Sequence, residues 1–187
     1  EAEADEKHSS RWIIFIAYLT GLSIGVHLLN LLAIPAIVFI YYFKRYETTP
    51  KGILKTFLLS IFLVLVIMYA VIPGLVLMAS WFELFFINLI GLPFNTGTIL
   101  FVILLIGFVC WGIIETQKRG NVLWNTVLLS FSVIVIGYSS YATLVIRSNA
   151  NTPMEQNNPD EVFRMIKYLN RDQYGDRPLL YGQYYNA

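Results

Sequence analysis

Charge is what this sequence has least of. Of 187 residues only 13% are Asp, Glu, Lys or Arg, about half the share usual in a soluble domain. Four windows, 12–43, 56–82, 84–114 and 120–146, hold none at all. Uncharged apolar windows of that length read as membrane spans and exclude an ordinary soluble core. Cysteine is nearly absent too. Cys110 stands alone inside a span, so a disulfide within the chain is excluded and the residue reads as packing. There are two histidines, His8 and His27, expected in opposite loops, and no metal site is expected from them. A phosphate loop, an HExxH helix, a Cys pair and a Ser nucleophile elbow are all missing. Gly137-Tyr-Ser-Ser-Tyr141 merely lies in a span. A net charge of +1, with the basic residues confined to loops, offers no nucleic-acid surface.

What is present is led by the stretch Gly21-Leu-Ser-Ile-Gly25-Val-His27-Leu-Leu-Asn30-Leu-Leu-Ala-Ile-Pro35. It sits inside the apolar run 12–43 and carries that run's one imidazole and one carboxamide. A single helix over the run would be about 48 Å long at ~1.5 Å per residue, well past a hydrocarbon core of about 30 Å. Either one helix tilts steeply, or the chain turns back near His27–Asn30 and two short helices share the run. The turn is the favoured reading. Gly21 and Gly25 permit close helix packing, two polar side chains cost less at a wet bend than in lipid, and Pro35 then falls in the first turn of the second helix.

Taken in order, the expected elements are a polar segment 1–11, spans 12–26 and 31–43, and a loop 44–55 with Lys44, Arg45, Lys51 and Lys55 against Glu47. Span three covers 56–79, where Pro73-Gly74 predicts a kink or an early end. The stretch 80–97 has no Lys or Arg, and its Trp81 and Phe cluster predict an interfacial helix over 81–92. Spans four and five are 98–115 and 122–146, joined by a tight loop with Lys118 and Arg119. The fold class is therefore all-α: a polytopic membrane protein of about five spans, the first two short and joined by a tight external turn.

The loops set an orientation, because cytoplasmic loops are rich in Lys and Arg. With 44–55 and 116–121 inside, residues 80–97 and everything after Arg147 are outside, and with the turn so is His27–Asn30, leaving 1–11 cytoplasmic. The tail 147–187 is soluble in character. Asn158-Pro159-Asp160-Glu161 reads as a helix start. Val162, Phe163, Ile166 and Leu169 share a face, predicting an external amphipathic helix over 159–170. Tyr174-Gly175-Asp176 reads as a turn and Arg177-Pro178-Leu-Leu-Tyr181 as an extended segment. The polar start lacks a signal-peptide n-region, and the whole is expected to be a piece of a longer membrane protein.

Few polar side chains remain as candidates. His27 and Asn30, three apart, either cap helix ends or point into an external cavity to bind an anionic or hydroxylated group. Glu83, the one acid between 56 and 114, is either solvated at the external interface, the favoured reading, or lines the same cavity. Asn88 and Asn95 read as loop formers, with Asn95 the cavity-lining alternative. Arg147, at the outer end of span five, either snorkels to headgroups or contacts a lipid phosphate.

Arg11-Trp12, Ala17-Tyr18-Leu19, the Gly21–Pro35 run and Tyr41-Tyr-Phe-Lys-Arg-Tyr46 together resemble a family of large bacterial multi-spanning proteins grouped with the protein O-mannosyltransferases. The tail Asn157-Asn-Pro-Asp-Glu-Val-Phe163, with Tyr168-Leu-Asn-Arg-Asp-Gln-Tyr-Gly-Asp-Arg-Pro-Leu-Leu-Tyr-Gly182, resembles the segment that follows that family's spans. The resemblance implies a C-type membrane glycosyltransferase, which takes a sugar, here mannose-like, from a polyprenyl-phosphate carrier and hands it to an external protein acceptor. Gly21, Leu22 and Gly25 match a Gly-Leu-x-x-Gly run of such enzymes, which makes His27 and Asn30 donor-phosphate candidates, with Arg147 beside them; the Lys common at that turn is absent. The catalytic acid of the family lies outside this chain, so no catalytic residue is expected in it. The implied partners are the polyprenyl-phosphate sugar, membrane lipid, the protein acceptor and the rest of the parent chain. The implied location is a bacterial inner membrane with the C-terminal segment on the periplasmic side, and no cofactor is implied. The competing expectation is a non-catalytic anchor or assembly subunit. A transporter is disfavoured because no charged group lies mid-span.

Overall fold

The computed structural model describes residues 9–150, 153 and 157–175, and among these the only regular structure is helical. The polar start through His8 and the stretch Arg177–Tyr181 lie outside the described residues. Four helical segments are long and apolar enough to cross a membrane, Leu28–Arg45, Pro50–Ile90, Thr96–Lys118 and Val122–Ser148, with a shorter apolar one at Arg11–Ile24. Large apolar side chains such as Phe62, Phe108 and Trp111 stand exposed along them. That inverts the soluble pattern and suits a solvent of hydrocarbon. The chain is a polytopic helical membrane protein.

Helix α1, Ser9–Ile24, stops where glycine and a run of turns intervene. The Ser23 carbonyl accepts the amides of Val26 (3.0 Å) and His27 (2.9 Å), and more distantly the Asn30 carboxamide (3.4 Å). One acceptor thus gathers donors that a continuous helix would have sent to successive carbonyls. A 3₁₀ turn, Leu28–Leu32, then leads into α2, Ala33–Arg45, with Pro35 in its first turn, where no N–H is needed. The two helices diverge from the turn. A groove separates Ile16, Leu19, Thr20 and Ser23 of one side from Leu29, Asn30, Ala33 and Ile37 of the other.

The partner of α1 lies far along the chain. Helix α6, Val122–Tyr138, makes the most extensive helix contact in the molecule with it. A Cβ on Gly21 would overlap the Ile134 backbone, with Ile134 Cα 2.7 Å away. A Cβ on Gly137 would stand 2.5 Å from the Leu22 nitrogen and 2.8 Å from the Tyr18 oxygen, and one on Gly25 would be 2.6 Å from Ser140 Oγ. Glycine on both surfaces lets the backbones touch, the packing device open to apolar helices in lipid. Rising numbers meet rising numbers along this contact, so α1 and α6 run parallel. An odd number of crossings must therefore separate the end of α1 from the start of α6. Helix α2, the Pro50–Ile90 segment and the Thr96–Lys118 helix supply three, which requires α1 and α2 to be separate, oppositely directed helices.

Helix α3, Pro50–Leu65, begins with Thr49 as N-cap and Pro50 at the first position. It continues through a π turn, Val66–Val71, into α4, Ile72–Phe85, and a second π turn to Ile90. Pro73 explains the first widening. It brings no N–H to the Tyr69 carbonyl and its ring presses on that turn, and the Ile72 amide bonds back five residues to Ile67 instead. Where the sequence predicted a span ending at 79 and a separate helix over 81–92, one helical segment of 41 residues runs on to Ile90. Pro73 is absorbed by a π turn and does not end the helix. Gly91, at φ 74°, closes it in the left-handed region that glycine tolerates.

Helix α5, Thr96–Lys118, returns antiparallel to α4 and is followed by α6, then by a short 3₁₀ turn, Ser139–Tyr141, and α7, Ala142–Ser148. Asn125 of α6 donates to the Ile113 carbonyl (3.0 Å) and to Thr116 Oγ1 (3.1 Å), fastening α5 to α6. The tail folds back as α8, Val162–Asn170, across α4. Its start differs from the expected 159–170. Glu161 is the extended N-cap residue, and Asn158 accepts a bond from Ser148 Oγ (2.8 Å), tethering the tail to α7 instead of capping α8. Met165, outside the predicted apolar set, is the buried residue of α8.

The core lies toward one end of the bundle. Ile24, Leu31, Ile34, Ile67, Val71, Ile72 and Tyr138 form one buried cluster, with Leu169 of α8 packed on it. Tyr138 donates its hydroxyl to the Ile72 carbonyl, 2.9 Å away, just beyond the π turn. The α1–α2 turn, the π turn, the end of α6 and the tail thus converge. The basic loops, 44–55 and 116–121, lie at the other end.

Candidate functional site

Glu83 departs furthest from its expected role. It is 0% exposed, neither solvated nor a cavity wall. Its carboxylate accepts the amide of Asn95 through Oε1, and through Oε2 the amide of Thr98 (2.7 Å) and the Thr98 hydroxyl (3.0 Å). Asn95 is the N-cap residue of α5 and Thr98 its third residue. These are the two amides a capping box satisfies, served here by an acid from the neighbouring helix. The positive end of α5 compensates the charge. Gly97 makes it possible, since a Cβ there would lie 2.5 Å from Glu83 Cα. Asn95 itself adopts φ 71° and offers no side-chain cap, a left-handed geometry that Asn accepts more readily than most residues.

His27 stands at the mouth of a cavity of about 540 Å³. Ile24, Leu31, Val64 and Ile72 form its apolar floor, and the tail closes over it with Tyr168, Arg171, Gln173 and Tyr174, while Tyr141 comes from the 3₁₀ turn after α6. His27 is extended (φ −160°), and its Nδ1 accepts the Leu29 amide at 3.1 Å, capping the 3₁₀ turn. With Nδ1 occupied as acceptor, the proton of the neutral ring sits on Nε2, which is left as a donor. Arg171 follows α8 at φ 61°, the position glycine usually takes after a helix. The next turn, Asp172–Tyr174, bonds the Tyr174 amide to the Arg171 carbonyl (2.9 Å) and brings the guanidinium 5.5 Å from the Tyr174 ring centroid. Among the described residues no carboxylate lines this cavity, and none forms an ion pair with Arg171.

The other candidates fall elsewhere. Asn30 faces the groove between α1 and α2, on the far side of the turn from His27's cavity. Arg147 is exposed in the last turn of α7 and lines neither space. Asn95 lines a second, almost wholly apolar chamber of about 600 Å³ between α4, α5 and α6–α7, roofed by Val162 and Met165 of α8. Tyr141 is common to both spaces and forms the wall between them. So the candidates do not gather into one constellation. His27 instead shares its cavity with Arg171 and three tyrosines that sequence reasoning passed over. A guanidinium in place of glycine just after an amphipathic helix was the one available signal. Among the described residues no cluster of His, Cys, Asp and Glu has the makings of a metal site.

Residues 1–50 match the family model described as the N-terminal domain of the protein O-mannosyl-transferase TMEM260. That stretch holds α1, the His27 turn and α2. No curated protein and no solved structure matches the chain.

Proposed function

We propose that this chain is part of an integral-membrane glycosyltransferase that moves a sugar, mannose-like, from a polyprenyl-phosphate carrier to a protein on the external face of a bacterial inner membrane. One observation carries the reading. The reversal at Gly25–His27 lies within the 50 residues similar to an O-mannosyltransferase domain, and His27 lines a cavity at the end of the bundle away from the basic loops. With Lys44, Arg45, Lys51, Lys55, Lys118 and Arg119 on the cytoplasmic side, this cavity and the tail face outward.

The chemistry asks for three things: an oriented acceptor hydroxyl, a base to take its proton, and donors at the departing phosphate. His27 suits the third, since its Nε2–H is available while Nδ1 is held by Leu29. The base is expected from residues outside the cavity wall described here. Full-length parent protein in membranes, supplied with labelled polyprenyl-phosphate mannose and an external acceptor, tests the reading. His27→Ala should lower transfer about tenfold or more with folded protein undiminished. Transfer at the wild-type rate would overturn it.

A further inference from the structure

The cavity at the turn has a second nitrogen donor, and it carries the charge that a neutral imidazole lacks. We infer that Arg171, together with His27, forms a binding site for a phosphate ester, with Arg171 the residue that selects for negative charge. This rests on the preceding reading and gives its donor a specific cation. Arg171 and His27 come from opposite ends of the described chain and line one space, with an apolar floor and, among the described residues, no acid. A planar guanidinium presents paired donors that match two phosphate oxygens. Here one face of it lies over the Tyr174 ring, which holds the group while its edge remains able to donate. His27 adds a neutral donor, Nε2–H, because Leu29 occupies the other nitrogen.

The backbone gives a separate reason to look at Arg171. A long side chain at φ 61° is disfavoured where glycine would be relaxed. Where helix termination is the sole requirement, glycine is the usual residue at that position and asparagine the next choice. Tyr141, Tyr168 and Tyr174 line the same space, so a ligand there meets phenol rings and hydroxyls beside the cation. The ligand class is therefore a phosphate carried on an apolar or hydroxylated body.

Binding to the full chain in nanodiscs of a zwitterionic phospholipid decides it. The probes are a polyprenyl phosphate, the matching polyprenol, phosphatidylglycerol and inorganic phosphate. Wild type should bind the polyprenyl phosphate at least about tenfold more tightly than the alcohol, as expected for a charge-assisted site. Arg171→Gln should erase that preference, and Arg171→Lys should retain part of it. Arg171→Gly is the decisive variant. It relieves the left-handed backbone, so its thermal midpoint should equal or exceed wild type while the phosphate preference is lost. Equal binding of phosphate and alcohol in wild type, or an undiminished preference in Arg171→Gly, would overturn the site. If phosphatidylglycerol or inorganic phosphate competes as well as the polyprenyl phosphate, the anion site stands and the glycosyl-carrier reading falls. If only the polyprenyl phosphate binds, both stand.

Discussion

The two ends of the bundle are held by different kinds of bond. At the basic end the ties join residues of one loop or of two helices that follow each other directly, as Asn125 of α6 reaches back to Ile113 of α5. Tyr42 donates its hydroxyl to the Glu47 carbonyl (3.0 Å) and accepts the Thr49 amide (3.1 Å), Thr49 caps α3 through the Gly52 amide, and Asn121 caps α6 through the Trp124 amide. Arg119 pairs with Glu115 one turn back. At the other end ties between neighbouring elements are joined by ones between segments remote in sequence. Glu83 caps α5, Tyr138 reaches the Ile72 carbonyl, Ser148 holds Asn158, and α8 lies over the core. Ties at the basic end need only elements adjacent in the chain. An end assembled from distant elements exists only once the bundle has formed, and there the polar cavity is found.

The sharpest way to break this contrast is at the parallel α1–α6 crossing. Gly137→Leu would drive a side chain into the α1 backbone, which a flexible neighbour cannot relieve. We expect a loss of about 4 kcal/mol or more, read as failure to recover folded protein in mild detergent. Intact α3–α4 helicity in what remains would show that the damage is confined to the α1–α6 seam.

Glu83 comes next. Glu83→Ala strips two part-buried amides of their acceptor and removes the charge facing the α5 dipole, for a loss of about 3 kcal/mol. Glu83→Gln, which keeps an acceptor oxygen, should fall between Ala and wild type. Thermal unfolding in detergent measures both. Wild-type stability for the Ala variant would mean the carboxylate is dispensable as a cap.

At the basic end, Tyr42→Phe deletes two short-range, part-buried bonds and should cost about 1 kcal/mol. Its effect ought to stay in the 46–49 loop, visible as faster amide exchange there and unchanged exchange at Thr98. Spread to the opposite end would contradict the division between local and distant ties.

What was legible beforehand follows the same division. The placing of Pro35 in the first turn of α2 is a local matter, where a missing N–H decides the outcome; the start of α3 at Pro50 falls inside the expected loop 44–55, and its Thr49 cap went unread. The end of α4 was misjudged because Trp81 and the Phe cluster were read as a separate interfacial helix, and hydropathy does not report that the helix runs on through a second π turn to Ile90. Glu83 was misread because a lone acid beside an aromatic cluster looks the same whether it meets water or a helix start. Asn158 and Pro159 carry a sound helix-start pattern that lost to a tether with Ser148.

The amino-acid order on its own determined that this is a helical membrane protein, where its basic loops lie and that its first apolar run holds a polar bend. Charge-free windows and backbone chemistry act over a few residues and need no partner. Only the tertiary structure decided that α1 lies parallel to α6, that Glu83 caps the start of α5, and that His27 shares a cavity with Arg171 while Asn30 and Arg147 lie outside it. Which polar groups become neighbours depends on how helices cross and where the tail returns. That geometry is set by packing between segments far apart in the chain.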